Sequence, residues 1–184
     1  QQIDVECSEQ IDRFGLIFHA AELQRQPTEA NLARTDLESI LRSLAPGWSE
    51  QLKRRDIRLS LDLDRGLPTV MSDSHRLEAM LGGLIDRSSR GLPGGSELHL
   101  GLQAAGARVK LQLHVVLPGS ATGPANASPA REELGTVLSW DPTTGSLQLS
   151  QDATRQMMAS LGGRYQPRRD RDLTVFFPVQ NDAD

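Results

Sequence analysis

The sequence predicts an α+β two-layer sandwich, in which helices cover one face of a mixed, mostly antiparallel sheet and a separate helix precedes the whole. Three observations carry this. Several short runs alternate apolar and polar residues, the period of a strand with one face on a core. Other segments repeat their apolar residues every three or four positions, the spacing of a helix with one buried stripe. Strand runs also follow one another directly, which favours hairpins over crossover connections.

The first helix is expected from Ser8 to about Gln26, where Ile11, Phe14, Phe18 and Ala21 fall on one stripe suited to a helix-helix seam. Pro27 ends it, and Thr28 to Arg34 reads as a linker. Thr35 and Glu38 have the spacing of a capping box, so a second helix should start there. Leu37, Ile40, Leu41, Leu44, Trp48 and Leu52 would form its buried face, broken or kinked at Pro46-Gly47. Ile57, Leu59, Leu61 and Leu63 make a strand, followed by a turn at Asp64 to Gly66.

After a short apolar stretch from Pro68 to Met71, Ser72 or Asp73 can cap a helix with Leu77, Met80, Leu81, Leu84 and Ile85 on one face. That helix stops near Gly91, and Pro93-Gly94-Gly95 turns into a hairpin of two alternating runs, Leu98 to Leu102 and Val109 to Val115, joined at Ala105-Gly106. The stretch from Gly119 to Ala130 has no charged side chain and few large apolar ones, a loop composition. Thr136 to Trp140 is expected as a short strand, Gln151 to Leu161 as a helix stopped by Gly162-Gly163, and Leu173 to Val179 as a last strand before a tail at 180–184.

The 184 residues suffice for one substantial core and an appended helix. No run approaches the ~20 apolar residues of a membrane helix. The chain begins at Gln1 without a secretory signature, as a piece of something longer would, so the expected location is the cytoplasm, as a free protein or as the cytoplasmic part of a membrane-anchored parent. A formal charge of −4 opposes binding to nucleic-acid phosphates. Cys7 is the single cysteine, which excludes an intrachain disulfide and any Cys-based zinc site.

Several strings, in order, resemble the ATP-binding domain of the GHKL superfamily as found in the C-terminal region of bacterial sensor histidine kinases. Leu67 to Asp73 with Arg76-Leu77 resembles the strand entering the family's nucleotide-contacting helix. Leu81 to Ser88 with Pro93-Gly94-Gly95 resembles that helix and its following turn, and Arg155 to Arg164 with Val175 to Val179 the closing helix and strand. Ser8 to Phe14 is similar to the second helix of the kinase dimerisation hairpin. The resemblance divides the chain into a dimerisation-type helix at 1–30, a histidine-kinase-like domain at 35–179 and a tail at 180–184. It also implies a protein of two-component signal transduction. His19 lacks the His-Asp/Glu-x-x-Thr-Pro context of the phosphoacceptor and reads as a surface or seam residue.

The family's ATP chemistry, carried over position by position, is largely missing. A helix asparagine that holds magnesium falls on Arg87 and its predecessor on Gly83, and a guanidinium offers only donors. Asp86 is one position away, turned about 100° around the helix, and reads as a solvated carboxylate. Arg87 could still meet an anion or a partner's carboxylate. The adenine-accepting aspartate falls on Leu117, which accepts no hydrogen bond, while Gly119 and Gly123 remain as glycines of the loop. The Gly-rich phosphate turn maps near Gly145 to Ser150 and keeps one glycine. Three lost charge-assisted contacts at ~1.5–3 kcal/mol each total about 5–9 kcal/mol, enough to erase a micromolar site.

The expected reading is therefore a non-catalytic histidine-kinase-like domain without ATP or magnesium. It would contact itself or another kinase through the N-terminal helix and present a surface to a kinase or response regulator. An active catalytic domain with divergent ATP contacts and a phosphotransfer adaptor with an inactive ATPase-like domain are the alternatives. ATP and magnesium belong to the first of these.

Overall fold

The structure is a computed structural model that describes residues 31–119, 132–133, 138–141, 146–167 and 172–179. The expected N-terminal helix with Ile11, Phe14, Phe18 and Ala21, and the positions of Gly123 and Gly145, lie outside the described residues.

Among the described residues thirteen elements follow in chain order: β1 Ala33–Thr35, α1 Leu37–Lys53, β2 Arg58–Leu63, β3 Val70–Ser72, α2 Ser74–Ser89, β4 Glu97–Ala104, β5 Arg108–Val116, β6 Glu132–Glu133, β7 Leu138–Asp141, β8 Ser146–Leu149, α3 Gln151–Ser160, β9 Arg164–Pro167 and β10 Leu173–Pro178. The main sheet has the order β2-β4-β5-β10-β9, parallel between β2 and β4 and antiparallel elsewhere. This is the predicted mixed, mostly antiparallel sheet.

Register explains the core. Leu100 of β4 faces Leu113 of β5, which faces Leu173 of β10; one step along, Leu102, Leu111 and Val175 share a row. Because side chains alternate across a strand, these rows and Leu98, Val109 and Phe177 all point to one face, where they are buried under Leu41, Trp48 and Leu52 of α1, Leu77, Leu81 and Ile85 of α2, and Met157 and Met158 of α3. Leu84 packs half-buried against the same cluster. Leu61 is the exception in its run, 41% exposed on the edge strand β2.

A smaller ladder joins β1 to β3, and Val70 bridges to Val179 beyond the end of β10. β1 begins in the segment expected as linker and ends on the residue expected to cap α1. Its last residue, Thr35, does not cap α1: it is buried and its hydroxyl donates to Ser72 O at 2.9 Å. Asp36 caps instead, accepting from Ser39 N at 3.0 Å, and Glu38 binds Arg42 and the Gly66 amide rather than reaching back. These two donors, the Arg42 hydrogen bond foremost, hold the Glu38 carboxyl below its ordinary range. The capping box thus fails because pairing with β3 takes the threonine. Pro46 does not break α1, since Leu41, Ala45, Trp48 and Leu52 anchor both halves to the core. Loss of one helical hydrogen bond is small beside that burial.

Candidate functional site

The candidate site is the surface of α2 that would carry the nucleotide contacts, together with the loop after β5 and the start of α3. Asp73 starts α2, its carboxylate accepting from Arg76 N at 3.1 Å. Ser72 is not the cap: it is buried, and its hydroxyl donates to Leu161 O at 2.7 Å, tying β3 to the end of α3. Along α2, Gly83 has no side chain and Arg87 follows Asp86 by one position.

Asp86 is not the solvated carboxylate that local sequence suggests. Arg90, one turn later, donates to it through both Nε and a terminal nitrogen, and Arg55, just beyond α1, approaches its other oxygen to 3.5 Å. Gln51 of α1 adds a 3.4 Å hydrogen bond. Arg55 also donates to Ser89 Oγ at 3.2 Å, and that hydroxyl donates to the Asp86 carbonyl at 2.8 Å. Partial burial lowers the Arg90 guanidinium from its ordinary value, yet an arginine stays charged at neutral pH. The spacing of Asp86 and Arg90 was legible as an i,i+4 pair. Arg55 was not, because 31 positions separate it from Asp86 and only the packing of α1 on α2 brings them together. Replacing Asp86 by Asn should cost about 1 kcal/mol, more at low than at high salt, because the pairs are part-exposed and screened. A urea titration at two salt concentrations checks it.

Leu117 is 38% exposed and Gly119 has φ +77° in the turn that leaves β5. This turn sits against the one before β4, where a side chain at Gly95 would lie 3.6 Å from Pro118. Gly95 N in turn donates to the carbonyl of Asp56 at 2.7 Å, so the two turns and the end of α1 form one corner. Between α2 and the sheet, the gap lined by Trp48, Leu81, Ile85, Leu111, Leu113 and Leu173 is only about 10 Å³, no more than one water needs, and wholly apolar.

Where the phosphate turn maps, the chain makes strand β8 and then Ser150, buried, whose hydroxyl accepts from Ala153 N at 3.1 Å. Thr154 Oγ1 donates to the Ser150 carbonyl at 3.0 Å. The amide that a helix start would offer an anion is therefore engaged by a capping serine. Among the described residues no group of three or more His, Cys, Asp or Glu is arranged to hold a metal ion, and no helix is long and apolar enough to cross a membrane.

No family model matches the chain. Sensor histidine kinase Hik34 of Synechocystis sp. (strain ATCC 27184 / PCC 6803 / Kazusa) is 36% identical over 187 residues, an alignment covering 98% of this chain and 39% of that protein. The chain thus spans about two fifths of the relative's length. Among solved structures, histidine kinase ThkA in complex with response regulator protein TrrA aligns with a TM-score of 0.68 at 13% identity, over 97% of this chain and 50% of that one. Full-length ShkA in complex with AMPPNP gives 0.66 at 21%, over 95% and 37%. Histidine kinase AdeS of Acinetobacter baumannii gives 0.61 at 19%, over 98% and 81%. The chain is thus related in sequence to part of one member of the two-component histidine-kinase family, and it shares the GHKL-type ATP-binding fold of these histidine-kinase structures.

Proposed function

We propose that this chain is a non-catalytic member of the histidine-kinase family, working by protein contact and not by ATP turnover. One observation carries the reading. Of the three α2 positions that could supply a metal ligand, Gly83 has no side chain, Arg87 offers only donors and the Asp86 carboxylate is already held by two guanidinium groups. A magnesium ion would have to displace Arg55 and Arg90 to reach that carboxylate. Leu117 at the base-acceptor position and the self-capped start of α3 support the same reading. These residues do not fit magnesium and ATP, and no phosphoryl-transfer step follows from them.

Signalling would then run through surfaces. The stripe of Ile11, Phe14, Phe18 and Ala21 is the proposed contact with a second copy or with another kinase, and the sandwich domain presents its surface to a kinase or response regulator. The place of action is proposed to be the cytoplasm. ThkA, solved with its response regulator, is a structural precedent for that kind of encounter in the family.

Calorimetry with millimolar Mg-ATP tests the proposal, and no saturable heat is expected. The double replacement Arg87→Asn and Leu117→Asp should raise affinity at most modestly, because the start of α3 remains closed by Ser150. Micromolar, magnesium-dependent, adenine-selective binding by the unmodified chain would overturn the reading in favour of an active kinase.

A further inference from the structure

Away from α2, an open groove of about 570 Å³ lies where β5, β10, β9 and the end of α3 meet. Three arginines from three different elements line it: Arg108 at the start of β5, Arg155 on α3 and Arg164 at the start of β9. Sheet register sets Arg108 and Arg164 on either side of the end of β10. Pro178 of β10 pairs with Arg108, while the preceding outward position, Phe176, pairs with Arg164 on one side and Lys110 on the other. Among the described residues no carboxylate lines the groove. Beside it Asp152 pairs with Arg155 at 2.5 Å on an open helix face where both side chains are at least half exposed. Such a pair is worth little and exchanges readily.

Local backbone geometry keeps the groove open. Gly162 and Gly163 line it between α3 and β9 without side chains. At Gly163 a Cβ would meet Val175 Cγ1 at 2.7 Å and the Phe177 ring at 2.9 Å, so the chain runs hard against β10 there. The half-buried ring of Phe176 supplies an apolar wall.

We propose that this groove binds a small polyanion carrying two or more phosphoryl groups, by forked hydrogen bonds from Arg108, Arg155 and Arg164. A cluster of guanidinium groups in a chain of net charge −4 concentrates cationic field at one place, and the planar fork of arginine matches phosphate oxygens two at a time. The volume lies within the ~300–1,000 Å³ range of small-ligand sites. Magnesium is not required, because the arginines themselves neutralise the charge. The site is independent of the α2 positions and stands whether or not those bind nucleotide.

The test is a titration of the intact chain with inorganic pyrophosphate in EDTA at near-physiological salt, followed by amide chemical shifts. Saturable binding is expected, with the largest shifts at 162–166 and 176–177. The double variant Arg108→Ala/Arg164→Ala should weaken it about tenfold or more, a 1.4 kcal/mol effect. Arg108→Lys/Arg164→Lys should lose part of the affinity while keeping the charge. Arg58→Ala on β2 and Arg87→Ala on α2 should change nothing. Absence of saturation, or equal weakening by Arg58→Ala, would show diffuse charge attraction only and overturn the proposal; so would dependence on Arg87. Should the alanine double variant unfold, the lysine pair together with the shift map decides by the same criteria.

Discussion

Replacing Phe177 by alanine is expected to destabilise the domain by about 3–5 kcal/mol. Phe177 is fully buried, sits on β10 between β5 and β9, and faces Val109 across the ladder. Truncation removes the burial energy of an aromatic ring and leaves a cavity that neighbours on the sheet cannot fill, since their backbones are fixed by pairing. A domain of ordinary stability has about 5–15 kcal/mol in total, so the variant should unfold at a much lower urea concentration. The adjacent Phe176 provides the contrast. It points to the other face, half-buried, and its alanine variant should lose well under half as much. A larger loss at 176 than at 177 would mean that the sheet is turned the other way relative to the helices.

The second large effect is expected at Gly162. Helix α3 ends in a Schellman arrangement, with Gly162 N donating to Ala159 O at 3.0 Å and Gly163 N to Met158 O at 2.9 Å. That arrangement needs a left-handed residue, and Gly162 has φ +78°. A side chain there also has nowhere to go, since its Cβ would lie 2.4 Å from the carbonyl oxygen of Met71 in β3. Left-handed backbone costs a non-glycine residue about 1–2 kcal/mol, and displacing a strand that is itself hydrogen-bonded adds more. Gly162→Ala should therefore cost about 3 kcal/mol. Gly66, at φ +68° with open space around its Cβ position, isolates the backbone part: Gly66→Ala should cost about 1 kcal/mol. Thermal melts of the two variants give the difference. If they match, the approach of Met71 is not a constraint in solution.

The large elements were legible because each satisfies a local rule by itself. Leu98 to Leu102 and Val109 to Val115 alternate cleanly, and the three described helices each carry a stripe that the sheet then buries. What stayed hidden is non-local. β1 and β9 are three and four residues long and show no period of their own; each exists because a neighbouring strand offers a partner edge. β8 occupies a segment read as a phosphate turn by position alone. The Thr35–Glu38 box is sound local chemistry, overruled by a strand pairing 37 positions away. At the candidate site, the identities at 83, 87 and 117 are plain in the sequence. The neutralisation of Asp86 by Arg55 is not, because two helices must first pack. The arginine groove escaped notice for the same reason, its three members being spread from 108 to 164.

Strand order has a consequence for biosynthesis. β10, the last of the described strands to be made, sits inside the sheet between β5 and β9, and Val179 just beyond it bridges back to Val70. Until that segment leaves the ribosome, β5 presents a bare edge and its apolar row of Val109, Leu111 and Leu113 lacks the strand that completes it. About 60 residues separate the end of β5 from the end of β10, which at ~5–20 residues per second is an interval of roughly 3–12 s. During that interval the nascent chain is a half-built sheet with an adhesive margin, the state in which strand edges recruit one another. Chaperone dependence and loss to aggregation should therefore be decided while this stretch is being translated.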